Sequence, residues 1–175
     1  MCIRDSRDTE RREEQPDETP YADTSLRHMT FEQLREMVAS GLVEVGSHTY
    51  HSHGDVNVDD AGNTKPALVN YHYNTVTKHL ETAEEYQERV MTDLLKSREV
   101  LKAQLGKEPA YFAYPYGRYT NELIEIIEGA GFTVALSVKE DRIRSARQIV
   151  HLPRYAVHND LSLEDFADLV SYKWR

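Results

Sequence analysis

Three of the chain's eight histidines, His48, His51 and His53, fall inside the stretch GSHTYHSHGD, residues 46–55. Neutral imidazole is a ligand for zinc and related divalent ions. His48 and His53 can face one point if the backbone turns between them. A solvated polar loop accounts for the same residues without metal, so spacing alone leaves both readings open. Two histidines are also an incomplete site, because catalytic zinc takes about three protein ligands plus a water. A second polar cluster, AYPYG at 113–117, holds a proline between two tyrosines before a glycine. That pattern reads as a turn whose rings either pack or offer a surface for stacking on sugars.

The elements around these clusters would put them on one edge. LVEVGS (42–47) reads as a short buried strand running straight into the histidines, and YFAY (111–114) as a strand running into PYGRY. Parallel α/β folds build their sites at the carboxyl ends of strands, so two clusters there support each other. Helices punctuate the strands. Thr30 with Gln33 caps a helix that stops at Gly41, and Thr82 with Glu85 opens the longest helix, to Leu105 before Gly106. Tyr86, Val90, Leu94, Leu101 and Leu105 form its apolar stripe, widened by Met91 and Leu95. Residues 47–81 read as a long irregular loop, a length more often functional than idle. A helix over 121–128, a strand FTVALSV (132–138), a last short strand LPRYAVH (152–158) and a helix LEDFADLVSYKW (163–174) capped by Ser162 and Asp165 complete an α/β pattern.

Composition narrows the classes. A net charge of −9 argues against a general nucleic-acid binder and against a polybasic membrane contact. No apolar run is long enough to span a bilayer. The opening MCIRDS resembles translated adapter sequence, and RDTERREEQPDETP after it is dense in charge. Residues 1–24 are therefore expected to be a disordered leader and residues 25–175 the credible domain. The single cysteine, Cys2, lies in that leader and carries no redox inference.

GLVEVGSHTYHSH, FAYPYG, GF leading to ALSV, and LPRYAV follow one another at spacings that resemble the polysaccharide deacetylase (NodB-homology) family. The resemblance runs from Met29 to Trp174. It is closest to the branch of poly-β-1,6-N-acetylglucosamine deacetylases, where the two metal histidines are five apart. It implies a C-terminal portion of a distorted (β/α) barrel lacking its first strand or strands, and hydrolysis of acetyl groups from an N-acetylated glycan with a divalent metal, zinc foremost. His48 and His53 would be metal ligands, with His51 the replacement if the loop is set differently. Ser47 and Thr49 would hold the loop. The Tyr116 backbone N–H would stabilise the oxyanion in a turn shaped by Pro115, and Tyr50, Tyr114 and Pro115 would meet the sugar. His158 would be the general acid, with His151 its competitor.

The family's TFDDG-like aspartate pair, base and third ligand, has no match here. Asp59 and Asp60 follow the histidines and read as solvated loop residues, and Ala113 stands where many relatives carry arginine. The expectation is an N-terminally truncated chain, inactive by itself, from an extracellular or cell-envelope protein. Two alternatives stay open. One is a non-catalytic carbohydrate-binding module using Tyr50, Tyr114, Tyr116 and Tyr119; the other is an unrelated metal-dependent amidohydrolase.

Overall fold

A computed structural model describes residues 2–3 and 29–171, with the backbone alone at 2–3 and at 147. Four parallel strands form the central sheet in the order β1 (Cys2–Ile3), β2 (Gly46–Ser47), β7 (Tyr111–Ala113), β8 (Val134–Leu136). The expected leader lies outside the described residues except for Cys2 and Ile3, which pair with Gly46 and Ser47. Of LVEVGS, only Gly46 and Ser47 are strand, and Ser47 pairs with Phe112. Residues 111–113 pair in register with 134–136.

Among the described residues each connection between successive strands of this sheet contains a helix, the usual crossover for parallel pairing. Helix α1 (Phe31–Ala39) has the reciprocal Thr30–Gln33 capping box. Helix α2 (Ala83–Leu105) has the same device at Thr82 and Glu85, and ends on Gly106 at φ 74°, the left-handed stop that glycine takes without strain. Helix α3 (Asn121–Gly129) is capped by Thr120, and α4 (Leu163–Val170) by Ser162. Among the described residues, no helix is long and apolar enough to cross a membrane.

Two apolar clusters hold the layers. Tyr86, Val90 and Leu94 of α2 pack with Phe112, Ile127 and Phe132 beside the sheet. Phe31 and Leu34 of α1 pack with Val45, Val100 and Leu101. The α2 stripe differs from expectation in one respect. Leu95 is 49% exposed, while Asp93 and Ser97 are buried on the core side. A helix turns 100° per residue, so Asp93 and Ser97 share the face of Val90 and Leu94.

Two other expectations are corrected. Residues 47–81 are not irregular: they contain the antiparallel pairs β3 (Asp55–Asn57) with β4 (Thr64–Pro66) and β5 (Tyr73–Asn74) with β6 (His79–Leu80). Each is closed by local side-chain bonds. Asp59 accepts from the Ala61 and Asn63 N–H groups, and Asn74 from those of Val76 and Thr77. Arg89 then ties the segment to α2, bonding the Glu81 carboxylate and the Ala67 and Asn70 carbonyls. LPRYAVH is also no strand beyond Leu152, which makes a single bridge to Leu136; a 3-10 helix at Ala146–His151 precedes it.

Candidate functional site

The histidine loop leaves the carboxyl end of β2, and the tyrosine turn leaves the carboxyl end of its neighbour β7. Parallel pairing of these strands is what brings the two clusters together. His48 Nδ1 lies 2.6 Å from the Ala113 carbonyl oxygen. A carbonyl only accepts, so Nδ1 carries the proton and Nε2 keeps its lone pair, the tautomer suited to metal ligation. The bond comes from backbone, so the alanine at 113 serves it as well as any other residue would.

His53 folds back beside His48, with ring centroids 5.0 Å apart and planes tilted by 53°. Two imidazoles sharing one tetrahedral zinc at about 2.0–2.1 Å place their ring centroids about 5 Å apart, so this pair fits a common ion. His51 is exposed on the outside of the turn. Among the described residues, no group of three or more His, Cys, Asp and Glu side chains is placed to hold a metal. Among the described residues the donor set here is therefore two imidazoles, short of the three protein ligands that a catalytic zinc takes. Asp59 and Asp60 are engaged locally, Asp60 with Lys78.

The tyrosine turn closes the other side. Pro115–Gly117 form a short 3-10 turn in which Tyr116 stands at φ 56°, ψ 12°, a left-handed position uncommon for a non-glycine residue. The Tyr116 ring lies 4.9 Å from that of His53, and its hydroxyl donates to the His53 carbonyl at 3.0 Å. Tyr116 is 49% exposed beside the two imidazoles.

The structure separates the remaining predicted residues. Tyr114 is 1% exposed, with its ring against Phe112 and Tyr119 and its hydroxyl donating to the Val150 carbonyl. Burial pushes that phenol's pKa up, so it stays neutral. Tyr114 supports the turn from beneath, where no sugar reaches it, and Pro115 is buried with it. A four-tyrosine stacking surface is therefore not what this edge presents. Tyr50 is half-buried, packed against the α1–α2 cluster. His151 stacks on Tyr119, with ring centroids 5.4 Å apart. His158 lies on an exposed stretch, its carbonyl accepting from the Leu161 N–H.

One residue of this site escaped the sequence reading. Asp93, 9% exposed on α2, accepts from the backbone N–H groups of Tyr50 and His51 and from the Ser52 hydroxyl, each at 2.8 Å. One turn on, the Ser97 and Ser47 hydroxyls share a hydrogen bond. An acid interrupting an apolar stripe at helical spacing was the visible signal.

A family model described as polysaccharide deacetylase matches residues 13–135. The chain belongs to the polysaccharide deacetylase family. It is 34% identical over 141 residues to the poly-β-1,6-N-acetyl-D-glucosamine N-deacetylase of Escherichia coli K12, a match covering 81% of this chain and 21% of that protein. Among solved structures it superposes on a de-N-acetylase from Aggregatibacter actinomycetemcomitans with TM-score 0.71 and 27% identity, covering 86% of this chain and 58% of that one. The BpsB deacetylase domain from Bordetella bronchiseptica gives 0.70 and 26%, covering 81% and 56%. The chain thus spans just over half the length of these structural relatives, and about a fifth of the Escherichia coli protein. The match reaches back to residue 13, into the segment read as a leader.

Proposed function

We propose that this polypeptide is the histidine-bearing part of a metal-dependent carbohydrate deacetylase that hydrolyses the N-acetyl groups of a poly-N-acetylglucosamine-type glycan. The observation that carries the reading is the His48–His53 pair, with His48 locked by Ala113 into the tautomer that leaves Nε2 available. Relatives named as poly-β-1,6-N-acetylglucosamine deacetylases support the substrate class. An extracellular or cell-envelope setting is part of this proposal and rests on the family resemblance alone.

In this reading His48 and His53 hold a divalent ion, zinc being the foremost candidate. The chemistry that ion supplies when bound is Lewis-acid activation of water towards an amide carbonyl. The residues of this chain orient and shield the reaction. The turn at 115–117 presents the Tyr116 backbone N–H to the oxygen on which negative charge develops. The Tyr116 ring walls the site beside His53. The family resemblance, rather than a contact with the histidine pair, assigns the proton taken up by the departing sugar amine to His158, with His151 as its competitor. The TFDDG-like carboxylate pair that would serve as base and third ligand is not in this sequence, so the chain alone is proposed to be catalytically inactive.

Zinc calorimetry on wild type, His48→Ala and His53→Ala tests this. The expected result is weak binding by wild type that both substitutions abolish. Binding indifferent to both histidines would sink the proposal.

A further inference from the structure

The loop GSHTYHSHGD has to hold an unfavourable shape for its two outer histidines to meet. Thr49 sits at φ 102°, a conformation costly for a β-branched residue, and is fully buried. Local preference therefore works against the arrangement, and something outside the loop must stabilise it. The Asp93 carboxylate is placed to do so. Its Oδ2 accepts the Tyr50 N–H, and its Oδ1 accepts both the His51 N–H and the Ser52 hydroxyl. The three residues it grips are consecutive, and they lie between His48 and His53.

The electrostatics agree. None of the ion pairs among the described residues includes Asp93. Its buried charge is met by three hydrogen bonds donated from the loop, and bonds to an ionised acceptor are roughly twice as strong as neutral ones. The carboxylate rides on the middle of a 23-residue helix whose neighbouring side chains, Val90 and Leu94, are fully buried. The anchor is thus rigid while the loop it holds is not intrinsically so.

We propose that Asp93 is a positioning residue for the histidine pair, a fixed triple acceptor that sets the loop conformation in which the His48 and His53 imidazoles converge. This deepens the proposed function, resting on its assignment of those histidines as ligands, but the geometric claim can be read without metal. Asparagine at 93 keeps the size but replaces one acceptor oxygen with a donor NH2. That donor would face a loop N–H or hydroxyl that itself donates. The loop is then expected to relax at Thr49, and His48 to leave the Ala113 carbonyl.

The test is nitrogen-15 NMR of the histidine rings in metal-free wild type, Asp93→Asn and Val90→Ala. Val90→Ala truncates the same helix in the core and leaves the loop bonds alone. Wild type and Val90→Ala should show His48 as the Nδ1–H tautomer with ring-to-ring contacts to His53. Asp93→Asn should show mixed tautomers and lose those contacts. Should Asp93→Asn fail to fold, Ser52→Ala removes one of the three bonds and is expected to move the same signals part-way. Wild-type tautomer and contacts in folded Asp93→Asn, or in Ser52→Ala where that variant is the one read, would overturn the proposal. So would an equal change in Val90→Ala, which would mean general destabilisation. Zinc added to the same samples separates the two claims. If wild-type His48 and His53 resonances ignore zinc, the ligand assignment fails while the tautomer result still decides the role of Asp93. If they respond, Asp93→Asn should weaken binding by about 10–100-fold, the usual effect of removing an outer partner of a ligand.

Discussion

Gly117→Ala is the most informative single change to the site's framework. Gly117 closes the turn that carries Tyr116, at φ 65°. A Cβ there would lie 2.2 Å from Val138 Cγ2 and 2.6 Å from the Val138 backbone nitrogen. The valine side chain can rotate away, but the nitrogen belongs to the chain leaving β8 and cannot move without it. Two penalties therefore add. Holding alanine in the left-handed region costs about 1–2 kcal/mol. Forcing extra volume against neighbouring backbone costs about 1–3 kcal/mol. Their sum, about 2–5 kcal/mol, is a large part of the total stability of a domain this size. Gly62→Ala is the internal control, because Gly62 has φ 80° but nothing within 4 Å of the added carbon. It should lose only the conformational part, about 1–2 kcal/mol. Urea unfolding followed by circular dichroism on both variants measures the difference. Equal midpoints for the two alanine variants would refute the clash with Val138. Midpoints equal to wild type would refute the whole argument.

Two further predictions concern the scaffold. Thr82→Ala removes the side-chain oxygen that accepts the Glu85 N–H and so breaks the α2 capping box; a loss of about 0.5–2 kcal/mol in urea unfolding is expected. Glu81 gives an acid limb: burial raises its carboxyl pKa, but the Arg89 guanidinium and the His72 N–H outweigh that, leaving it below the ordinary 4.5. A carboxylate with a depressed native pKa contributes stability that is present above about 4.5 and lost as pH falls through the native value. Urea midpoints measured from pH 7 to 3 should fall below about pH 4.5, and Glu81→Gln should flatten that fall.

How much was legible follows from the range of the interactions concerned. The caps at Thr30, Thr82 and Ser162 were readable because each is made by a side chain three residues from its partner. The hairpins at 55–66 and 73–80 were not, since their strands are two or three residues long and carry no sustained alternation. LPRYAVH shows the opposite error: its apolar residues suggest a strand, but only Leu152 finds a partner edge. Tyr114 looked like a surface ring because it neighbours Tyr116, yet the chain turns between them: Tyr114 is buried just past β7, while Tyr116 stands in the left-handed position of the following turn and is half exposed.

Legible in the sequence alone were the capped helix starts, the α/β pattern, the pairing of a histidine cluster with a tyrosine turn, and the family. Each of these is written in local chemistry or in the order of short motifs. The last helix, expected to run to 174, ends at Val170. Only the tertiary structure decided which histidines meet, which nitrogen of His48 is free, and what holds the loop. Those depend on contacts between residues far apart in the chain: His48 with Ala113, His53 with Tyr116, and Asp93 with the backbone at 50–52. A backbone N–H or carbonyl is the same in every residue, so a bond made to it leaves no mark on the identity of the partner. Parallel strand pairing brings these groups within reach, and that pairing is settled by the packed helices as a whole.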